Sequence, residues 1–452
     1  MGKKILIVGG SAGGAATATR LKRIDPTAEI IIYEKTPYIS YSSCALPYFI
    51  GNLVEDRRKI FVKTPTEMEE ENNIKVKINS EIISIDTMNN LITVKDKDSI
   101  YTNDYDYLVI SPGAKPSKPD FPGIESPKIF TLRNVPDADK IKQYINKAYV
   151  KSVAIVGGGY IGIEMAENLK NLGIRVTVVQ SSAHILPPFD FDMVELIEEE
   201  LKSNEVKLIL SDPVKAFYDN GDIIETTLTS GVKLNSDIVI LSIGIKPDIS
   251  FLNGSGIELG EKGHILVNSK MQTNFNNVFA LGDAVETLDL VSGFKTNIAL
   301  ASPAARQADI VANNIMGIED FYKGSLGSAL IKVFELTCGC TGDNEKNLKK
   351  YNIPYKVIYT EGHSSASAYP GSKVIKFKLI FSENGKILGA QILGEAGVDK
   401  RTDIIATLIS LGGTVFDAAK LQLAYAPPYS TPTDIINIVG LKASKKLKSK
   451  NF

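Results

Sequence analysis

Cys44 is the first residue whose type and setting could do chemistry. It precedes Ala45-Leu46-Pro47-Tyr48, which reads as a helix start with proline in its first turn. Amide dipoles at such a start stabilise a thiolate, and a thiol needs a lowered pKa to attack sulfur at neutral pH. A lone cysteine is usually an inert buried residue, so the setting must decide. Cys338 and Cys340, as Thr-Cys-Gly-Cys, form a CxC pair without further Cys or His nearby, and they read as structural. Three histidines, His184, His264 and His363, are too few for a zinc enzyme built on imidazoles. Redox chemistry must therefore come from an organic cofactor or a thiol.

Composition narrows the partners. The net charge of -1 lacks the standing excess of Lys and Arg that phosphate-backbone binding needs, so no nucleic-acid partner is expected. No run has the apolar length to cross a bilayer, and the chain enters a strand pattern at Lys3-Lys4-Ile5 without a cleavable signal. With only three cysteines, a reducing, cytoplasmic location is expected and no membrane partner.

The elements that would position a redox centre come in duplicate. KKILIVGGSAGGAATATRLK and KSVAIVGGGYIGIEMAENLK share one pattern of apolar strand, Gly-rich turn and small-residue helix. A second apolar strand follows each, ending at Glu34-Lys35 and at Gln180, which completes two βαβ units and implies two dinucleotide sites. Gly157, Gly159 and Gly162 fit G-x-G-x-x-G, whereas the first copy keeps Gly9, Gly13 and Gly14 but places Ser11 at the middle position. A carboxylate at the second strand's end accepts hydrogen bonds from a ribose, the role open to Glu34. Gln180 removes that carboxylate from the second copy, which favours NADPH or tolerance of both nicotinamides.

Breaks in pattern set the boundaries. A strand runs into Ser111-Pro112-Gly113-Ala114, and another into Gly244 and Pro247. The expected fold is α/β, with two Rossmann-like dinucleotide-binding domains. The first covers 1–115 and resumes over 246–323, the second covers 116–245, and a C-terminal α+β dimerisation domain covers 324–452. Glu383-Asn384-Gly385-Lys386 predicts a hairpin turn there. The Lys-rich end from Lys442 reads as a solvated tail. Asp283, in Ala-Leu-Gly-Asp-Ala, stands after another strand, either beside a cofactor or as a helix cap.

This layout of fingerprint, cysteine, second fingerprint, LGDA and interface domain resembles the pyridine nucleotide-disulfide oxidoreductases over the whole chain. SYSSCALPYFIG is similar to the single-cysteine branch that contains coenzyme A-disulfide reductase, NADH oxidase and NADH peroxidase. AYAPPYSTPTDIINIVG looks most like the first of these. The resemblance implies one FAD per subunit, held by Gly9, Ser11, Gly13, Gly14, Glu34, Lys35, Ser111, Gly113, Asp283 and Ala301. It implies a nicotinamide donor, NADPH or NADH, held by Gly157, Gly159, Tyr160, Gly162, Glu164, Gln180 and Gly244. Tyr160 would cover the flavin until the nicotinamide displaces it, and Glu164 would touch the carboxamide.

Catalysis would rest on Cys44, with Tyr425 and Tyr369 reaching it from the partner of a homodimer. Coenzyme A disulfide would meet Ala16, Arg20, Arg23, Ser40 and Ser43; the alternative for the basic residues is a solvated helix face. Two lysines of the family's pattern appear as Asn72 and Thr433, which weakens phosphate recognition. Ala12 stands where the peroxidases and oxidases carry histidine, so disulfide reduction is the expected chemistry. The alternatives are an NAD(P)H oxidase, or a reductase of polysulfide, persulfide or elemental sulfur through the same Cys44.

Overall fold

A computed structural model describes residues 2–448. The strand Lys4–Val8 is apolar and buried from Ile5 onward, the mark of a central parallel strand covered on both faces. It pairs in parallel with Glu29–Tyr33 on one side and Tyr107–Ile110 on the other. Lys75–Lys77 and Val278–Ala280 complete a five-stranded sheet at its two edges. The helix Ala12–Ile24 between the first two strands buries Gly13, Gly14, Ala15 and Ala18, and these small side chains let it lie close to the helix Ala301–Ile315. The second copy repeats the design: Ser152–Val156 lies between Arg175–Val179 and Ile238–Leu241, with the helix Tyr160–Asn171 crossing over. Both predicted βαβ units are thus present in an α/β fold.

The two chain crossings between the halves lie side by side. Ala114–Pro116 pairs antiparallel with Ile245–Pro247, one strand from each crossing. One segment departs from the sequence division. Leu46, Phe49, Ile50 and Ile60 bury themselves with Ile163, Ala166 and Leu169 in the core of the second half. The segment around Cys44 is therefore packed on the neighbouring half.

Beyond Gly327 the chain forms a further five-stranded sheet, ordered 329–333, 336–342, 387–394, 374–381, 356–363. The expected hairpin turn is there, closed by the Ser382 amide on the Lys386 carbonyl at 2.9 Å, with Gly385 at φ +88° where glycine is favoured. The Lys-rich end differs from its expectation as far as it is described: the helix Ile435–Lys448 runs through it. Ile435, Val439 and Ala443 recur every four residues and are buried, while the Lys446 ammonium donates to the Val357 carbonyl. Residues 449–452 lie outside the described residues.

The third domain is tied to the second half by a buried cation. Lys378 is fully buried, with its ammonium 2.9 Å from Asp190, 2.8 Å from Asp192 and 2.6 Å from Glu345. Burial opposes its charge, but the three carboxylates outweigh burial and raise its pKa. Removing a buried ion that partners other charges typically costs ~3 kcal/mol or more. Lys378→Met is therefore expected to lower stability by about that amount, read as a fall in the thermal unfolding midpoint.

Candidate functional site

The first Gly-rich turn is built by steric exclusion. Gly9 has φ +88°, and a Cβ there would lie 2.2 Å from the Ser111 carbonyl oxygen. At Gly14 a Cβ would come within 1.9 Å of the Gly9 carbonyl, and at Gly13 within 2.7 Å of the Ser111 hydroxyl. Strand, turn and helix therefore close on one another only without side chains. Glu34 completes the turn: one carboxylate oxygen accepts the Gly10 amide and the other the Thr36 amide, both at 2.9 Å. Ser11 is the helix N-cap residue but makes no side-chain capping bond.

Beside this turn a cavity of about 290 Å³ is lined by Gly9, Glu34, Lys35, Ser80, Pro112 and Phe251 among others. Its size suits one end of a dinucleotide. Lys35 is paired with Asp248 at this cavity. Ala301 opens a helix with no acidic side chain in its first turn, which leaves that helix start free to face an anion. These residues fit an FAD.

The second turn repeats the first almost contact for contact. Gly157 has φ +108° and a virtual Cβ 2.3 Å from the Ser242 carbonyl, and that of Gly162 lies 2.0 Å from the Gly157 carbonyl. A Cβ at Gly159 would meet nothing within 4 Å, so protein packing does not demand that glycine; an approaching ligand would. Gly244 is similarly open, at φ +106°. Gln180 copies Glu34, its Oε1 accepting the Gly158 amide at 2.9 Å. The difference is its other atom: Nε2 donates to the Ser182 hydroxyl at 2.6 Å, putting an amide and a hydroxyl where the first site has a carboxylate.

Cys44 lies in a short 3-10 turn, Ser43–Ala45, just ahead of the helix Leu46–Ile50. It is exposed, whereas Cys338 and Cys340 are buried. The expected lowering of its pKa is not found. Burial pushes the thiol up, the Glu164 carboxylate adds to that, and the Ser43 hydrogen bond and the Arg133 charge pull it back without reversing it. Burial is the largest cause, and the thiol also precedes the helix and lies near the Glu164 and Asp283 charges.

Asp283 does not cap a helix through its side chain; its carboxylate accepts from Arg133 at 2.9 Å. Arg133 was not legible as a site residue. A Cβ at Gly113 would touch its guanidinium at 2.5 Å, and its charge reaches both Cys44 and Tyr41. Tyr48 also escaped notice; its hydroxyl donates to Glu164 at 3.4 Å. A helix-spaced tyrosine four residues after Cys44 was the available signal. Tyr160 is largely buried with its hydroxyl 3.6 Å from the Cys340 sulfur, which gives the CxC pair a packing role.

The expected substrate residues are only partly assembled. Ser40 has φ +44° and bonds its amide to the Gly10 carbonyl, linking the Cys44 loop to the first turn. Ser43 is next to Cys44, and Ala16 lies on the first helix. Of the basic residues, Arg20 bonds Asn313 at 3.3 Å, Lys22 donates to the Ala28 carbonyl at 2.7 Å, and Arg23 is exposed. Asn72 accepts from Lys63 at 3.0 Å, so a lysine does stand at that position in space. Tyr369 and Tyr425 are 44% and 48% exposed in the third domain, and among the described residues no hydrogen bond or ring contact joins either to Cys44.

A family model described as pyridine nucleotide-disulphide oxidoreductase matches residues 3–308, and the model of its dimerisation domain matches 328–434. The chain is 36% identical over 444 residues to a coenzyme A disulfide reductase of Staphylococcus aureus (strain COL), covering 97% of this chain and 99% of that one. The crystal structure of reduced Bacillus anthracis CoADR-RHD is 44% identical, with a TM-score of 0.97 over 99% of this chain and 81% of that one. An NAD-dependent persulfide reductase from A. fulgidus is 31% identical, with a TM-score of 0.96 over 99% of this chain and 84% of that one.

The Gln180 geometry yields a test. Gln180→Glu restores the carboxylate of the first site and would repel a 2'-phosphate. Binding of NADPH relative to NADH should weaken about tenfold, ~1.4 kcal/mol, in fluorescence titrations of the two nucleotides.

Proposed function

The chain belongs to the pyridine nucleotide-disulphide oxidoreductase family, as an NAD(P)H-dependent flavoprotein reductase, and from that premise we propose that it reduces coenzyme A disulfide to two coenzyme A thiols through Cys44. The observation that carries this reading is the solitude of Cys44. It is the exposed thiol, whereas Cys338 and Cys340 are buried, so we take the substrate to be its disulfide partner.

The Cys44 thiolate attacks one sulfur of the disulfide, forms a mixed disulfide and releases the other half as a thiolate, which takes a proton. Two electrons then cleave the mixed disulfide and return Cys44. FAD, when bound, takes the electrons of a nicotinamide hydride and makes them available to sulfur. Glu34, Ser111 and the first Gly-rich turn would hold that cofactor; Gln180, Tyr160 and the second turn would hold the nicotinamide. Arg133, fixed on Asp283, offsets carboxylate charge at the sulfur.

The dimerisation domain makes the chain one subunit of a homodimer. The exposure of Tyr425 and Tyr369 supports a role in the partner's site, where a phenol can donate to the leaving thiolate. Three free cysteines suit a reducing cytoplasm. Among the described residues no helix is long and apolar enough to cross a membrane.

A second reading, reduction of polysulfide or persulfide by the same Cys44, is favoured by the basic residues. Arg20 and Lys22 are engaged within the protein, which leaves less charge for phosphates, and sulfane sulfur needs no phosphate site. Steady-state turnover of the FAD-loaded protein with NADPH and NADH, anaerobically, separates the two. Coenzyme A disulfide is expected to be reduced rapidly, and Cys44→Ser to abolish it. Consumption of polysulfide or oxygen alone would refute the coenzyme A assignment.

A further inference from the structure

We propose that the Cys340 thiol, in the dimerisation domain, latches the Tyr160 side chain at the second Gly-rich turn, so that nicotinamide binding has to break this contact. The inference deepens the NAD(P)H-dependent reading above and rests on it for one point, that a nicotinamide displaces Tyr160. Cys340 touches no ligand in this reading and is a positioning residue.

The helix that carries Tyr160 is fixed from the third domain. Tyr160–Asn171 opens directly after Gly159, where a Cβ would meet nothing within 4 Å, so a ligand can come up against the helix start there. About two turns further on, Glu167 is buried and receives the Lys332 ammonium at 2.7 Å and the Phe334 amide at 3.0 Å. Ile163, Met165, Ala166 and Leu169 share one core with Ile331, Val333 and Leu393 of the third domain. With the helix backbone held in this way, making room for a ligand falls to the Tyr160 side chain at its open end.

What holds that side chain is sulfur. Cys340 pairs in register with Ala329 on one side and Gln391 on the other, in the middle of its sheet. It is 5% exposed and belongs to the same core as the helix. Its sulfur lies 3.6 Å from the Tyr160 hydroxyl, which has no other hydrogen-bond partner among the described residues. Burial pushes the Cys340 thiol up to about 11 and raises the Tyr160 phenol as well. Both are therefore protonated at neutral pH, and the contact is an uncharged hydrogen bond.

Sulfur is a weak donor and a weak acceptor. A weak bond suits a contact that opens whenever a nucleotide arrives. Its loss nevertheless strands a hydroxyl in a buried seam, which disfavours the seated position of the ring. Nucleotide affinity is reduced by the fraction of molecules in which Tyr160 is seated, so anything that unseats the ring tightens binding. The thiol of the dimerisation domain thus sets the affinity of a site that it does not touch.

Calorimetric titration of the FAD-loaded protein with tetrahydro-NADPH and tetrahydro-NADH, reduced analogues that cannot donate hydride, tests the latch. No disulfide is present, so the outcome is independent of whether coenzyme A disulfide is the substrate. Cys340→Ala should lower Kd about fivefold, whereas Cys340→Ser keeps a hydroxyl in reach of Tyr160 and should bind no more tightly than the unaltered protein. In a Tyr160→Phe background there is no hydroxyl to strand, and adding Cys340→Ala should leave Kd where it was. A cavity effect of the alanine would lower the thermal unfolding midpoint in both backgrounds alike, and so is read separately. Tyr160→Ala removes the ring and checks the premise, with tighter binding expected. Tighter binding in Tyr160→Ala but an unchanged Kd in Cys340→Ala overturns the latch and leaves the displaced ring standing. Tightening by Cys340→Ala that persists in the Tyr160→Phe background also overturns it. No tightening in either alanine variant removes the displacement of Tyr160 and the latch with it.

Discussion

The seating of one five-residue helix governs the geometry of the candidate active site. Leu46–Ile50 is far too short to be stable by its own hydrogen bonds, so its position is set by what it packs against. That partner is the second nucleotide half. Gly51 lies against Asn168, the Lys142 ammonium bonds the Phe49 carbonyl and sits 3.9 Å from the Phe49 ring, and Arg57 makes a two-bond ion pair with Asp139. Cys44 is thus joined to the first Gly-rich turn through Ser40 and to the second half through its helix.

The two turns show how a duplicated device diverges at little structural cost. Gly9 and Gly157, Gly14 and Gly162, and Ser111 and Ser242 make matching contacts. The strand-end acceptor is preserved as geometry but changed in charge, because Gln180 keeps the oxygen that receives the Gly158 amide and exchanges the second oxygen for a donor. Backbone architecture therefore needs only an acceptor at this position. Charge is free to vary with the ligand.

The third domain holds the second half through charge as well as apolar contact. Lys378 joins its sheet to Asp190 and Asp192, and Lys332 with the Phe334 amide receives Glu167 from the second fingerprint helix. Glu167 occupied in this way leaves Glu164, one turn earlier on the same helix, with a hydroxyl in place of a cation. Cys338 and Cys340 fill the same seam, where Cys340 backs Tyr160. The sequence read this pair as structural, and both thiols are buried.

Much of this protein was legible in its residues because local rules suffice for it. Apolar strands, glycine spacing and small-residue helices are short-range signals, and they yielded both βαβ units, the Asn384-Gly385 turn and the strand-end places of Glu34 and Gln180. The helical end at Lys448 was missed because high charge masked an apolar stripe at four-residue spacing. Arg133, Tyr48 and the raised thiol of Cys44 were out of reach for a different reason. Each depends on groups far apart in the chain meeting in space, Arg133 with Asp283 and Tyr48 with Glu164, and electrostatic influence follows distance through the fold. The sequence by itself determined which residues could do chemistry and on what elements they stand. Only the tertiary structure decided which charges surround the sulfur, because burial and long-range proximity are properties of the packed chain.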